Sequence, residues 1–207
     1  KTSEGIIACG QDGLTAINKN GDILWKYSHS INNPLLSCAG AYALYTDAGG
    51  TDCILVSGGN EIYRHKSAYE ITTAKVNKSG YFTVVSKERG YKSRVAVISP
   101  SGEDIYIWHS AKYYIIDAIC DNSCRGMFVS VLDSDSSTDM YKLLYFSFEE
   151  TEPKILDTDG GNLVAVLECR GSFVFAIGDT GAYGFDKSGR KTFEINYQGR
   201  GLQEYAA

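Results

Sequence analysis

The chain has 207 residues, with 22 Gly, only 3 Pro, 15 Tyr, 8 Phe and 2 Trp, and its 25 acidic and 20 basic side chains leave a net charge of −5. That length buries a core without help from metal or disulfides, and a charged fraction of 22% beside a hydrophobic fraction of 43% excludes a globally disordered chain. The negative balance argues against a nucleic-acid footprint. No apolar run approaches the roughly 18 residues of a membrane helix, the longest being the stretches at 113–116 and 163–167.

In chain order, short alternating runs bounded by Gly, Asn, Asp and Ser read as half-buried strands grouped in units. The first unit supplies three strands and carries the phrase from Ile7 to Gly21, followed by Trp25. The second opens with Leu35-Leu36-Ser37 and carries Gly59 with Tyr63. The third predicts strands at Ile71 to Val76, Tyr81 to Ser86, Val95 to Ile98 and Asp104 to Trp108. These are joined by Asn77-Lys78-Ser79-Gly80, by a longer loop, and by Pro100-Ser101-Gly102, which is an antiparallel meander with hairpin turns. The fourth contains Ile115-Ile116-Asp117 and, around Glu152 to Leu156, has lost both the glycine and the aromatic. The fifth opens with Leu163-Val164-Ala165 and ends near Phe193. A last strand is predicted over Leu202 to Ala206. No stretch carries a convincing helical period, so little or no helix is expected.

The units repeat. Ile7 to Gly21 lies without gaps over Phe175 to Gly189, and Trp25 falls on Phe193. In between, the glycine-then-aromatic phrase recurs as Gly59 with Tyr63 and Gly102 with Tyr106, giving a mean period of 42 residues. A β-sandwich does not repeat a four-strand phrase at that interval, whereas propeller blades of about 40–45 residues do. The expected fold is therefore all-β, a β-propeller of about five four-stranded antiparallel blades forming one domain over residues 1–207, either a closed ring or part of a larger propeller. For a closed ring, the strand at 202–206 completes the first unit and removes open sheet edges.

The phrase Gly13-Leu14-Thr15-Ala16-Ile17-Asn18-Lys19-Asn20-Gly21-Asp22-Ile23-Leu24-Trp25 resembles the repeat of PQQ-like, quinoprotein-type β-propellers. The second copy keeps Gly181, Asp186 and Gly189 but has Gly184 for the Ala and Phe193 for the Trp. The whole also resembles a family of propeller proteins of Gram-positive bacteria anchored by one N-terminal membrane helix. That resemblance implies an extracellular or cell-surface location, with the anchor upstream of Lys1. In such repeats the glycine permits φ > 0 in the turn and the aromatic packs between neighbouring blades. Trp25→Ala is then expected to cost about 3–5 kcal/mol.

The quinoprotein dehydrogenases that the repeat resembles use a vicinal Cys pair, a calcium and a catalytic Asp. No two cysteines here are adjacent, so no PQQ and no other cofactor is expected. Of Cys9, Cys38, Cys53, Cys120, Cys124 and Cys169, three precede a Gly two residues on and share an expected buried slot: Cys38, Cys124 and Cys169. Cys120 with Cys124 is the best disulfide candidate. No second cysteine pair stands at zinc spacing. The run from Asp133 to Asp139 alternates oxygen side chains as a calcium loop begins, but Thr138 replaces the turn glycine and Leu144 the bidentate Glu, so a solvated hairpin loop is the reading. His29, His65 and His109 each fall near the end of a unit's last strand, on separate blades. Lys87, Arg89, Lys92 and Arg94 form a basic loop interrupted by Glu88, read as a solvated rim. No hydrolase or nucleotide motif occurs.

The functional expectation is a non-enzymatic scaffold presenting loops and one face to a protein or cell-envelope ligand. The alternative is a small-molecule or enzymatic site in a central channel, which requires convergent ionisable groups on the inner strands. There only Asp117 and Glu204 stand out. No catalytic, cofactor-binding or metal-ligating residue is assigned.

Overall fold

A computed structural model describes residues 5–137, 140–156, 158 and 162–199. Nineteen strands and no helix occupy them. The first sheet has three strands: β1 (Ile6–Gly10), β2 (Gly13–Ile17) and β3 (Ile23–Ser28). The second runs through β4 (Pro34–Ala39), β5 (Tyr42–Asp47), β6 (Asp52–Ser57) and β7 (Asn60–Lys66). The third comprises β8 (Ile71–Val76), β9 (Phe82–Glu88), β10 (Tyr91–Ile98) and β11 (Asp104–Ser110). The fourth comprises β12 (Tyr114–Cys120), β13 (Gly126–Leu132), β14 (Tyr141–Ser147) and β15 (Lys154–Leu156). The fifth comprises β16 (Val164–Arg170), β17 (Phe173–Gly178), β18 (Gly181–Asp186) and β19 (Lys191–Asn196). In every sheet the strands neighbour one another in chain order, so each is a meander built from local hairpins. The predicted strand over 202–206 lies outside the described residues.

The chain groups into two compact units, Lys1–Arg89 with Arg94–Trp108, and Gly90–Ser93 with His109–Ala207. In the first, one apolar cluster is built on Leu14, Ala43, Tyr45, Ile54 and Val56, and another on Leu44, Leu55, Ile71, Phe82, Val84 and Ile98. In the second, Phe128, Leu143, Leu167, Val174 and Phe185 lead another cluster.

Three of the four copies of the repeated phrase are one kind of turn, shared by the first hairpin of the third sheet; the Gly59 copy is instead the two-residue turn Gly58-Gly59 between β6 and β7. Asn18, Asn77, Ser99 and Asp186 each open a four-residue hairpin whose fourth residue is Gly21, Gly80, Gly102 or Gly189. The fourth N–H returns to the first carbonyl at 2.9–3.1 Å. The first side chain caps the loop: Asn77 Oδ1 accepts from the N–H groups of Ser79 and Tyr81, and Asp186 Oδ1 from Ser188 N and Oγ. These bonds, led by the Ser188 hydroxyl, hold the Asp186 carboxyl down at about 2. The fourth residue has φ between +76° and +92°, which an L side chain adopts only with strain.

The aromatic of the phrase serves the next sheet, not its own turn. A Cβ added to Gly59 would lie 2.9 Å from Trp25 Cβ, and one added to Gly102 would lie 2.2 Å from Tyr63 Cε2. Trp25 and Tyr63 therefore pack on the last hairpin of the following sheet, as inter-blade packing requires. Trp25 is only half-buried, so the expected cost of its removal falls to the lower end of the range for core aromatics. The departures in the last copy explain each other: Phe193 pairs with Gly184 across β18 and β19, and its ring occupies the space of the missing methyl, whereas Trp25 pairs with Ala16. The fourth sheet, which lacks both glycine and aromatic, has a last strand of three residues.

One expected element differs. The longer loop between the second and third strands of the third unit is a tight turn at Arg89-Gly90, with φ +84° at the glycine, and both strands extend into it. Charge neutralisation permits this: Lys87 pairs with Glu70, and Arg94 Nε lies 3.9 Å from Glu88. The basic loop is thus a hairpin of paired charges.

Candidate functional site

The first strand of a four-stranded sheet is where convergent chemistry was sought, and Asp117 of β12 is the ionisable residue that sequence places there. It is buried at a β-bulge between Ile115 and Asp117. Its Oδ1 accepts from its neighbour Ala118 N at 3.0 Å, and its Oδ2 from Leu167 N of β16 at 2.8 Å. Ser37 of β4 plays the same part in the other unit, accepting from Val76 N of β8 at 3.2 Å. Asp117 is therefore a fastener between consecutive sheets, and its two oxygens are committed to backbone donors. Glu204 lies outside the described residues.

The histidines belong to three sheets. His29 follows β3, His65 lies on β7 and His109 on β11. His65 has its Nε2 buried without a hydrogen-bond partner, and burial, reinforced by the Arg94 charge, pushes its pKa down. His109 is exposed and stacks on Tyr91 with ring centroids 5.0 Å apart. Among the described residues no three His, Cys, Asp or Glu side chains are grouped to hold a metal.

The acidic run is engaged by lysines. Asp133 Oδ2, almost wholly buried, meets Lys142 Nζ at 3.1 Å and Lys112 Nζ at 3.4 Å. Lys92 Nζ reaches Ser134 Oγ at 2.8 Å and Asp135 Oδ2 at 3.1 Å while lying over the Tyr114 ring. Ammonium groups occupy the positions from which a calcium ion would draw its first ligands. Thr138 and Asp139 lie outside the described residues.

The shared cysteine slot holds in position for two residues of three, though these are half-buried, not buried. Cys38 and Cys169 are each the penultimate residue of their sheet's first strand, whereas Cys124 sits in the loop between β12 and β13 because that hairpin is longer. None of the six cysteines is in a disulfide, so the expected Cys120–Cys124 bridge is not formed; Cys53 and Cys120 are buried and the others half-buried.

Two features were not singled out from sequence. A cavity of about 440 Å³ opens on the first sheet, lined by the hairpin Cys9–Leu14 and by Lys26, Tyr27 and Ser28. Beside it, Tyr27 donates to Glu61, and Arg64 grips the same carboxylate through Nη2 at 2.6 Å and Nε at 3.1 Å. Burial and the Glu61 contact push the Tyr27 hydroxyl up to about 12, so it stays a donor. Glu61 and Arg64 satisfy each other, and no nucleophile and base are paired in the cavity lining. The second feature is a series of exposed apolar side chains on last strands: Ile23 and Leu24, Ile62, Ile105 and Ile107, Ile155, then Phe193 and Ile195. Every sheet contributes. The only sequence signal was alternation, which does not say which face is wet.

A family model described as a family of unknown function, DUF5711, matches residues 1–178. No curated protein matches the chain. Among 510 solved chains that resemble it, a protein of unknown function from Bacteroides caccae aligns at 14% identity with a TM-score of 0.52, covering 91% of this chain and 70% of that one. BBS1N, solved in complex with ARL6DN, aligns at 14% identity with a TM-score of 0.57; the match covers 93% of this chain and 61% of that one. At such identity the likeness carries the fold alone, and the fold is of the β-propeller class. Among the described residues no helix is long and apolar enough to cross a membrane.

Proposed function

The chain belongs to DUF5711, a family of unknown function, and from that premise we propose that it is a non-enzymatic β-propeller scaffold, one domain at the cell surface, that binds a protein or cell-envelope ligand. The observation that carries this reading is the recurrence of exposed apolar residues on the last strand of all five sheets, among them Ile105 and Ile107 of β11 at 40% and 39% exposure. Exposed aliphatic groups on edge strands serve macromolecular contact and offer nothing to catalysis. The commitment of Asp117 to backbone donors supports the same side, since it removes the inner-strand group from which an enzyme would begin. The complex of BBS1N with ARL6DN gives a precedent for partner binding on this fold. The PQQ-like phrase is read as turn chemistry: its glycine and the capping side chain of Asn18, Ser99 or Asp186 close hairpins.

The test uses the purified chain and the double variant Ile105→Lys/Ile107→Lys, incubated with cell-envelope fractions and analysed by quantitative mass spectrometry of bound proteins and glycans. A ligand retained by the parent and lost by the variant, at unchanged melting temperature, supports the reading. Equal retention by both, or turnover of a small-molecule panel by both, overturns it.

A further inference from the structure

The four-residue turn with a left-handed fourth residue, glycine at Gly21, Gly80, Gly102 and Gly189, recurs at Asp121 to Cys124 within a hairpin one residue longer. Cys124 N donates to the Asp121 carbonyl at 3.0 Å, and Ser123 N and Oγ both donate to Asp121 Oδ1, at 2.6 and 2.5 Å. These are the bonds that Ser188 makes to Asp186. The glycine position, however, is filled by Cys124 with φ +52°. Among the described non-glycine residues only Gln198 shares a positive φ. A side chain held in that region costs stability, and such strain persists where the residue is used.

The turn folds Cys124 back onto the strand it follows. Cys120, the last residue of β12, is wholly buried, and Cys124 stands four residues on, across the hydrogen-bonded turn, near enough for each thiol to shift the other's pKa. Cys124 is half-buried, so one thiol of the pair is open to reagents and the other is enclosed. Cys169 of β16 is a third thiol in the same neighbourhood, and Asn122 Nδ2 fastens the turn to the Gly171 carbonyl at 2.7 Å, two residues past Cys169. The Cys120 thiol lowers the Cys124 pKa against the opposing effects of burial and the Asp121 charge, whereas the Cys120 pKa is raised by Cys124 and by burial.

We propose that Cys120 and Cys124 are a thiol–disulfide exchange site for small disulfide-bearing molecules, with Cys124 attacking and Cys120 resolving. The Cys124 thiolate attacks one sulfur of an external disulfide; a new S–S bond forms, the external S–S bond breaks, and one external thiolate leaves and takes up a proton. Cys120, giving up its proton, then attacks the Cys124 sulfur and expels the second external thiolate, which is protonated in turn. Two protein thiols are oxidised to one disulfide and one external disulfide is reduced to two thiols. Exposure and thiolate character belong to Cys124 and proximity to Cys120, which fixes the order of the two roles.

The fully reduced chain is equilibrated in glutathione buffers of increasing oxidised share, quenched by alkylation and read by intact mass and peptide mapping. Two of the six thiols are expected to vanish with the loss of two hydrogens, the link mapping to Cys120 and Cys124, and dithiothreitol to restore them. Cys124→Gly, which restores the residue of the other four turns, is expected to fold at an equal or higher melting temperature and to keep its remaining thiols. Cys120→Ser is expected to stop at a persistent glutathione adduct on Cys124, and Cys169→Ser to bridge as the parent does. Retention of all six thiols in the most oxidising buffer overturns the proposal, as does a persistent glutathione adduct in the parent or a link that maps to Cys169.

Discussion

Gly102→Ala separates the two reasons for which the repeat keeps its glycine. The residue has φ +90°, and the new methyl would fall 2.2 Å from Cε2 and 2.3 Å from Cζ of Tyr63, a ring that leans on Phe82 with centroids 6.4 Å apart. Backbone strain at a left-handed position costs about 1–2 kcal/mol. Driving the ring from its seat costs about 1–3 kcal/mol more, as for other overpacked sites. The total is about 2–5 kcal/mol. Gly49→Ala isolates the first contribution, because Gly49 has φ +81° and a Cβ there meets no heavy atom within 4 Å. Urea unfolding followed by tryptophan fluorescence is the assay, run on the two single variants, on Tyr63→Ala and on Gly102→Ala/Tyr63→Ala. With the ring gone, Gly102→Ala is expected to cost no more than Gly49→Ala, a coupling of about 1–3 kcal/mol with Tyr63. Equal costs for Gly102→Ala and Gly49→Ala in the parent, or no coupling in the cycle, would refute the docking of one sheet's aromatic on the next sheet's turn.

Asp117→Asn offers one acceptor to two backbone donors and is expected to lose about 1–3 kcal/mol by leaving one buried N–H unmet; unchanged unfolding would remove the fastener role. Trp25→Ala is expected to cost about 3 kcal/mol, the lower end for core aromatics, read from the same denaturation curves. His65 has a folded pKa below the ordinary imidazole value, so the unfolded chain takes up the proton first. Stability is thus complete above the unfolded pKa and declines as pH falls through it toward the folded value. His65→Gln is expected to flatten that part of the melting-temperature profile, and parallel profiles would contradict it. Calcium titrated calorimetrically is expected to give no heat, because Lys112, Lys142 and Lys92 neutralise Asp133 and Asp135; a saturable isotherm would show that a cation displaces them.

Turn chemistry was the most legible part of the sequence, because a glycine at φ > 0 and an Asn or Asp three residues earlier solve a purely local problem. The strands of the third sheet followed from those turns, with β8 found at its full extent and β9, β10 and β11 read too short, the hairpin joining β9 to β10 most of all. Their ends carry Lys87, Glu88, Lys92 and Arg94, which resemble loop until partners such as Glu70 are known. The docking of Trp25 on Gly59 and Tyr63 on Gly102 was legible in kind but not in pairing. Each aromatic stands four residues after the glycine of its own unit, yet it touches the glycine of the next one, and only the lateral arrangement of sheets decides between them. The same limit hid the role of Asp117, whose partner Leu167 is fifty residues away.

A repeat scaffold spends its repeated residues on closing turns and joining sheets, so the recurrent phrase is informative about fold and silent about function. Departures from the phrase carry the other kind of information, and they divide in two. Some compensate each other, as Gly184 makes room for Phe193, and need no further cause. Others stay uncompensated. Cys124 stands at the left-handed position that glycine fills in four sister turns, keeps the bond from the fourth N–H to the first carbonyl and the Ser123 cap, and bears the backbone strain. Residues that violate a local rule uncompensated are where use, not folding, explains the sequence. By that rule the geometry of one turn singles out the Cys120–Cys124 pair.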